Sequence, residues 1–458
     1  MSFASKTRWS DIYISATSRF LAGAAQFTLS VTLLLSLQTA GMGGLAVSAL
    51  ILSATLPMVV LAPLTGRIAD RYDSRLLILI SGVVQSAAVL GLIFVDGLFA
   101  ILALAMVGAS GVALLQPVMG ALLPVMSTKE DLPKASAVGQ TGALVGMMAG
   151  PAIAGLIMGE FGATVALVCA AGMSLSRTFV ALAIRSRRRG GVVTGGEPTA
   201  KVAEKPVAYK LRNDRLMVAM VAGLAAVIGI LSASNVIEVF LVRESFGASE
   251  SMYGFINGTW MAGMAVGAWL AATVIAKTRH DGQLAYLLMG LLAVSCLVMV
   301  VGGGVIYEVA LLIPLYLVGG ATNAGENSVV GVSLARRVPL EAQGRANATM
   351  SAALNGASLI GFVGGGLAME YFTPRQIFVV LGLAGLLALA ANLPLVHKAA
   401  QSVGRRVSVE EKPLAKTTGE GIRSAEHVIA EAESIVTDAR GQVGHSEKPA
   451  SDREIARA

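Results

Sequence analysis

Long runs of apolar residues, separated by short polar segments, fill most of the chain between residues 12 and 397. Each run is long enough to cross a bilayer as a helix, which takes about 20 predominantly apolar residues. The pattern predicts an all-α polytopic membrane protein with twelve transmembrane helices in two six-helix halves. The predicted spans are residues 12–37, 44–65, 76–95, 98–123, 135–158, 163–184, 216–242, 251–276, 284–303, 308–334, 347–369 and 376–397.

Polar segments set the predicted domain boundaries. An N-terminal six-helix half, residues 1–185, is followed by a basic segment, residues 186–212, which we expect to be a cytoplasmic central linker. The C-terminal six-helix half takes residues 213–397. Residues 398–458 are rich in charge and poor in large apolar side chains, so they are predicted to form a disordered cytoplasmic tail.

The composition agrees with a membrane protein, with 55% hydrophobic residues, 14% charged residues and a mean hydropathy of +0.72. The spans leave no room for a large extramembrane catalytic domain, so we expect no enzyme activity. Cys169 and Cys296 lie inside apolar runs, which excludes a disulfide framework. The sequence holds no P-loop and no metal-ligand spacing, so we expect no cofactor, no metal and no ATP-driven transport.

The basic residues are distributed unevenly over the predicted topology. Of 35 Lys and Arg residues, 31 fall on the side that holds both termini, whereas only Arg243 and Arg375 fall on the opposite side. Cytoplasmic loops carry such an excess, so both termini are predicted to be cytoplasmic in a multi-pass protein of the plasma membrane. The net charge of +7 is then a consequence of topology, and no nucleic-acid partner is expected.

The two halves repeat each other when the sequence is shifted by 211 residues. The match runs without a gap from span four into span five, against spans ten and eleven. Residues 134–137 (KASA), for example, fall on residues 345–348 (RANA). Two parallel halves joined by a long linker are typical of transporters that rock one half against the other around a midplane site.

The segment between spans two and three is densely charged. We expect residues 66–75 to form a compact cytoplasmic loop, in which a glycine breaks the helix and an acid lies among three arginines. Asp70 is expected to accept charge-assisted hydrogen bonds that hold one conformation and break in the other. The alternative is that the arginines are only topological anchors. The segment resembles the G-x-L-A-D-R-x-G-R-R signature of the major facilitator superfamily, and it matches at Gly66, Ala69, Asp70, Arg71 and Arg75.

Span five carries a stripe of small residues with a proline, namely Gly142, Gly146, Gly150, Pro151 and Gly155. Spacing of four places the first three glycines on one helical face, where a neighbouring helix can approach backbone to backbone. The stretch resembles the G-x-x-x-G-P-x-x-G-G motif of exporters and antiporters in the superfamily, with Ala154 as the one substitution. The sequence is most similar to the drug and macrolide efflux and siderophore exporter type. Simple helix packing is the alternative interpretation.

The resemblance implies that spans one, four, seven and ten line a central cavity. Each of these spans holds polar residues, which are the candidate cavity or coupling residues. Arg19 and Glu326 lie at similar predicted depth, so we expect them to pair. The alternatives are that Arg19 snorkels to the cytoplasmic headgroups and that Glu238 is interfacial. The candidates are Arg19 and Gln26 in span one, Gln116 in span four, Asn235 and Glu238 in span seven, and Asn323, Glu326 and Asn327 in span ten.

The arginines within the predicted spans bear on how transport could be coupled to protons. Many proton-coupled drug antiporters of the superfamily carry an arginine in span four, but residues 98–117 contain none, so proton coupling requires another group. Glu326 is the most deeply placed acid for that role. Arg177, near the cytoplasmic end of span six, is expected to snorkel to the headgroups.

These features together predict a secondary active exporter that moves a small amphiphilic compound out of the cell by alternating access, as a proton antiporter. One arginine and two glutamates, in a cavity expected to be poor in aromatic residues, favour a neutral or cationic solute. The expected partners are the small-molecule substrate, protons and the lipid bilayer, and the protein is expected to be a monomer. A nutrient or sugar importer of the same fold and a non-transporting membrane sensor are the alternatives.

Overall fold

A computed structural model describes residues 6–128, 130–186, 213–278 and 280–401, apart from the side chains of Pro63, Asp70, Leu340 and Glu341. Nearly all of the predicted linker and tail lies outside the described residues. The described residues form α-helices and contain no β-strand. The helices are α1 (Trp9–Thr39), α2 (Gly44–Val60), α3 (Ala62–Arg71), α4 (Ser74–Gly91), α5 (Leu98–Met126), α6 (Leu132–Leu182), α7 (Arg215–Leu231), α8 (Ser234–Phe240), α9 (Glu250–Ala276), α10 (Asp281–Gly304), α11 (Leu312–Arg337), α12 (Leu340–Ala368) and α13 (Pro374–Gln401).

The helices confirm the predicted all-α polytopic membrane fold. Ten helical segments in the described residues are long and apolar enough to cross a membrane. One of them, α6, has 51 residues and is interrupted at Gly162, whose φ of 81° favours glycine, so α6 supplies two spans. The apolar helix α2 has only 17 residues and supplies the remaining span.

The second predicted span, residues 44–65, ends earlier than expected. α2 ends at Val60 and a separate helix, α3, follows it almost at once. A proline in the first turn of α3 suits a helix start, because the missing N–H would have no intrahelical partner there. The prediction that residues 66–75 form a loop was therefore wrong. Gly66 lies inside α3, and only Tyr72 and Asp73 separate α3 from α4.

We call the end of the bundle where α1 begins the terminal end. Several helix ends are hydrogen-bonded to one another there. The N–H of Arg8 donates to the carbonyl of Met126 at 2.9 Å, which joins the start of α1 to the end of α5. The buried carboxylate of Asp11 accepts hydrogen bonds from the N–H and the Oγ of Ser186, at 2.9 and 2.6 Å. The start of α1 is thereby also tied to the chain segment that follows α6.

The C-terminal half has its own clamp at the terminal end. Arg337, the last residue of α11, donates two hydrogen bonds of 2.9 Å to the carboxylate of Asp214, which precedes α7. Its third nitrogen donates to Asp281, the first residue of α10, at 2.8 Å. Asp214 also accepts from the N–H groups of Leu216 and Met217 and so caps α7. One guanidinium thus holds three helices together.

We expect Arg337→Ala to lower the free energy of unfolding by about 3 kcal/mol, because two carboxylates would then face each other without a cation. Thermal and denaturant unfolding of the detergent-solubilised protein measures this effect. Arg336→Ala is the matched control, since the neighbouring arginine is exposed and makes one long hydrogen bond of 3.4 Å to Thr278. Equal stability of the two variants would show that the clamp contributes nothing.

The two halves pack on each other at the opposite end of the bundle. A Cβ atom built at Gly155 of α6 would lie 2.9 Å from the Cα atom of Gly254 in α9. A Cβ atom at Gly366 of α12 would lie 3.1 Å from the carbonyl oxygen of Gly44 in α2. Gly155 and Gly366 are related by the shift of 211 residues. The repeat in the sequence therefore reappears as two corresponding contacts between the halves.

Buried apolar residues divide in the same way. At the opposite end one continuous cluster contains residues of both halves, including Leu35 and Tyr253. At the terminal end, the described residues form separate clusters, one around Met126 in the N-terminal half and one around Met217 in the C-terminal half. Among the described residues, the halves therefore share an apolar cluster at the opposite end and have separate apolar clusters at the terminal end.

Candidate functional site

A cavity of about 410 Å³ is lined by residues of both halves, a volume within the usual range of ligand sites. The described lining residues include two carboxylates, Glu238 and Glu326, and no Lys, Arg or His. The prediction of a cavity poor in aromatic residues was wrong, because most of the rings come from helices outside the four spans expected to line it. The aromatic lining residues are Phe27, Tyr253, Trp260, Tyr316, Phe362 and Phe378.

Glu326 of α11 is only 4% exposed and is held by a chain of hydroxyl groups. The Oγ of Ser295 in α10 donates to Oε1 of Glu326 at 2.7 Å. The Oγ1 of Thr322 lies 2.8 Å from the Oγ of Ser295. The hydroxyl of Thr322 also lies within 2.9 Å of the carbonyl oxygen of Gly319, to which it can donate. Glu326 forms no ion pair with any described residue.

This hydroxyl chain can satisfy Glu326 in either protonation state, because a hydroxyl both donates and accepts. When Glu326 is ionised, Ser295 donates to it and Thr322 donates to Ser295. When Glu326 is protonated, it donates to Ser295, Ser295 donates to Thr322, and Thr322 donates to Gly319. A proton can therefore be gained or lost without leaving a buried polar group unpaired, which would otherwise cost about 1–3 kcal/mol.

Glu238 of α8 belongs to a different group of side chains in the same cavity. Its Oε1 accepts a hydrogen bond of 2.7 Å from Nδ2 of Asn257 in α9. The hydroxyl of Tyr316 in α11 lies beside the same carboxylate. The rings of Tyr316 and Trp260 meet edge to face, with centroids 6.0 Å apart. Glu238 thus lines the cavity and is not an interfacial residue.

Half of the eight predicted cavity candidates line this cavity, namely Asn235, Glu238, Asn323 and Glu326. The others do not belong to its wall. Gln116 and Asn327 are exposed elsewhere, and Asn327 Nδ2 donates to the backbone carbonyl of Asn323 at 2.9 Å. The candidates outside the wall are Arg19, Gln26, Gln116 and Asn327.

The two arginines within spans also differ from expectation. Arg19 makes no ion pair with Glu326, and its Nε lies 3.5 Å from the position of a Cβ atom at Gly139 of α6. Arg177 does not snorkel, since it is 3% exposed and its carbonyl accepts a hydrogen bond from Ser18 of α1. Packing against α1 buries Arg177, and packing partners cannot be read from one helix alone.

The predicted gating residues lie on or beside α3. A Cβ atom at Gly66 would meet nothing within 4 Å, and Arg71 is exposed. Arg75 donates to the carbonyl of Ile184 at 3.1 Å, a contact within its own half. The side chain of Asp70 lies outside the described residues, so its switching role stays a prediction.

Two glycines of the antiporter-like motif face α1. A Cβ atom at Gly146 would overlap the carbonyl oxygen of Phe20, and one at Gly150 would lie 2.8 Å from the carbonyl oxygen of Ala24. Real Cβ atoms essentially never lie so close to backbone atoms. This part of the stripe therefore packs α6 on α1 inside the N-terminal half.

The remaining residues of that motif lie where the halves meet. A Cβ atom at Gly254 of α9 would overlap the carbonyl oxygen of Pro151. Ser251 of α9 donates a hydrogen bond of 3.2 Å to the carbonyl of Gly155. Pro151 and Gly155 therefore form part of the contact between α6 and α9, and any side chain larger than hydrogen at Gly155 would separate the halves.

Several side chains of the site were not predicted from the sequence, among them Ser295, Asn257 and Tyr316. Ser295 and Asn257 lie in spans nine and eight, which the resemblance did not place around the cavity. Tyr316 lies in span ten, but a tyrosine near a helix start is common at a membrane surface. The sequence did offer one signal for Ser295, because this serine lies in the middle of an otherwise apolar span.

The sequence matches the family described as Major Facilitator Superfamily over residues 16–313 and 231–430. It is 23% identical over 343 residues to the "Uncharacterized MFS-type transporter YfiS" of Bacillus subtilis (strain 168), covering 73% of this chain and 81% of that protein.

Solved structures with a similar fold include a mutant of the nucleoside transporter NupG, with a TM-score of 0.69 and 13% identity over 84% of this chain and 98% of that one. The peptide transporter POT in complex with sulfate has a TM-score of 0.68 and 13% identity, over 86% of this chain and 95% of that one. An inward-facing bacterial homologue of the iron transporter ferroportin has a TM-score of 0.66 and 16% identity, covering 85% and 100% of the two chains. These likenesses concern the fold.

Proposed function

Because the chain belongs to the major facilitator superfamily of transporters, we propose that it exports a small amphiphilic compound by alternating access, in exchange for protons. The observation that carries this proposal is the cavity between the halves, which contains two carboxylates and no basic side chain among its described lining residues. The drug or siderophore exporter type remains the favoured subtype, because of the motif in span five.

Alternating access requires a cavity that opens to one side at a time. The halves share a continuous apolar cluster and backbone contacts at the opposite end, whereas their clusters are separate at the terminal end. The strong excess of basic residues at the terminal end supports a cytoplasmic location of that end in the plasma membrane. On this proposal the conformation described is the one that loads substrate from the cytoplasm.

The exporter direction rests on the contact between α6 and α9. The residues that resemble the exporter and antiporter motif, Pro151 and Gly155, lie in that contact. The backbones of α6 and α9 approach each other directly there. The opposite end can therefore close without any rearrangement of side chains between the two helices. The remaining motif glycines keep α6 rigidly packed on α1, so that the contact opens and closes as the halves move.

Glu326 is the proposed proton-coupling group. It is buried in the cavity wall, and its serine and threonine partners accommodate both protonation states. An ionised carboxylate without a cationic partner is costly to bury, whereas a neutral one is not. Exposure of Glu326 to a wetter environment when the halves rock would therefore favour release of its proton.

Purified protein in liposomes provides the test. We expect an imposed pH gradient to drive movement of dyes and antibiotics toward the acidic side, in an uncoupler-sensitive manner. Movement of a sugar or nutrient with protons would favour the importer alternative. Absence of transport for the whole panel, in protein that is correctly inserted, would favour a non-transporting sensor.

A polar contact at the opposite end also joins the halves. Gln38 of α1 donates to Glu244 at 3.1 Å and accepts a long hydrogen bond of 3.4 Å from Arg243. Arg243 in turn forms an ion pair of 2.9 Å with Glu250 inside the C-terminal half. Gln38 is thus the member of this group that spans the two halves.

We expect Gln38→Ala to shift the population roughly fivefold toward the state open at the opposite end, since two hydrogen bonds of about 0.5 kcal/mol each are lost. Labelling of Ser30→Cys by an impermeant maleimide, in a background without Cys169 and Cys296, measures that opening. Gln140→Ala is the control, as an exposed glutamine on α6. Equal labelling of both variants would contradict a latch at Gln38.

A further inference from the structure

The two carboxylates of the cavity lie at different depths. Tyr316, which contacts Glu238, and Glu326 are ten residues apart on α11, a separation of about 15 Å along the helix axis. Tyr316 lies near the start of α11, so Glu238 is the carboxylate nearer the opposite end. The two carboxylates thus occupy different levels of one cavity, and they can therefore serve different purposes.

The hydrogen-bond partners of the two carboxylates differ in kind. Glu326 contacts a hydroxyl, which can either donate or accept. Glu238 accepts a hydrogen bond from the Nδ2 group of Asn257, and it also lies beside the hydroxyl of Tyr316. Glu326 is thus linked to a chain of hydroxyl groups that can reverse with its proton, whereas Glu238 lies among an amide group and aromatic rings that can contact a ligand.

The walls around Glu238 favour a positive charge. The faces of tyrosine and tryptophan rings carry negative potential and attract cations within about 6 Å. Tyr253, Trp260 and Tyr316 all line the cavity, and none of the described lining residues is basic. An anion would be repelled by Glu238 and would find no cationic partner in this wall.

We propose that Glu238, Trp260 and Tyr316 form a subsite for the positively charged group of the substrate, and that the substrates are lipophilic organic cations. This inference rests on the proposed transport function and names its substrate class. Much of the wall is apolar, so a delocalised or shielded charge, which is weakly hydrated, enters at lower cost than a small ammonium ion. The apolar part of such a ligand packs against the remaining wall, including Phe362 and Phe378.

Tetraphenylphosphonium and tetraphenylborate provide a direct test, because they match in shape and differ in the sign of charge. Binding of each to the purified full-length protein in nanodiscs, corrected for empty nanodiscs, is measured by equilibrium dialysis. We expect the cation to bind at least about tenfold more tightly than the anion. Glu238→Gln should weaken cation binding by about tenfold and leave anion binding unchanged or stronger.

Two further variants distinguish loss of cation binding at the subsite from a general effect of substitution on the fold. Trp260→Leu should weaken cation binding, whereas Glu308→Gln, at an exposed glutamate, should leave it unchanged. Equal binding of the two ions, binding of neither, or wild-type cation affinity in Glu238→Gln would each overturn the inference.

Transport of the uncharged dye Nile red in the same preparation separates failure of this inference from failure of the proposed function. Proton-driven export of Nile red by a protein that does not prefer the cation would overturn the subsite and keep the exporter. Selective cation binding that depends on Glu238, without proton-driven transport of any compound, would support the subsite and overturn the exporter.

Discussion

Glu326→Gln is expected to reduce uncoupler-sensitive efflux to the level of membranes without the protein. Glutamine can still bind Ser295 but cannot release a proton, so the fold is kept while the proposed coupling step is lost. Exchange of substrate across the membrane without a proton gradient should persist, since it needs no net proton movement. Efflux and exchange, measured over a range of pH in the same proteoliposomes, distinguish these effects.

Two further variants test whether the effect is specific to the Glu326 carboxyl group. Ser295→Ala should retain proton-driven efflux at a reduced rate, because the carboxyl remains but loses its hydroxyl partner. Glu370→Gln, at an exposed glutamate, is the matched control and should behave as wild type. Unchanged efflux with unchanged pH dependence in Glu326→Gln would remove Glu326 from the mechanism and leave Glu238 as the next carboxylate to test.

Gly155→Leu is expected to stop transport by preventing closure of the opposite end. A Cβ atom at Gly155 would lie 2.5 Å from the carbonyl oxygen of Glu250 and 2.9 Å from Gly254, and both neighbours are backbone atoms that cannot move aside independently. The halves must then separate by the thickness of a side chain. We expect transport at background level, together with increased labelling of Ser30→Cys by an impermeant maleimide added at that end.

Matched controls exist within the same helix. Gly172→Leu places the same side chain on α6, at an exposed position where a Cβ atom meets nothing within 4 Å, and it should transport normally. Gly150→Leu should instead disturb packing of α6 on α1 and lower stability, without specific opening between the halves. Wild-type efflux by Gly155→Leu would remove the α6–α9 contact as a reason to propose export.

Much of the fold follows from the sequence because a bilayer leaves few alternatives. Backbone groups in lipid must be satisfied within helices, so apolar runs of sufficient length determine spans almost irrespective of their detailed sequence. The continuation beyond Val60 was wrong, because the start of α3 at a proline creates a new helix where a loop was expected. The seventh predicted span is likewise divided between α7 and α8. The repeat of 211 residues likewise anticipated corresponding contacts at Gly155 and Gly366.

The site was only partly predictable from the sequence. A stripe of polar residues shows that one face of a helix lies away from lipid, but it does not show which residues of other helices lie opposite that face. Glu326 stood out as a charge deep in an apolar helix, and that signal belongs to one segment. Its partner Ser295 and the rings around Glu238 come from other helices, and their rotation about their axes depends on packing between helices. The same limit led to an expected Arg19–Glu326 pair and a snorkelling Arg177. Helix number and polarity are thus properties of each segment of sequence, whereas partners are decided by how the segments pack in three dimensions.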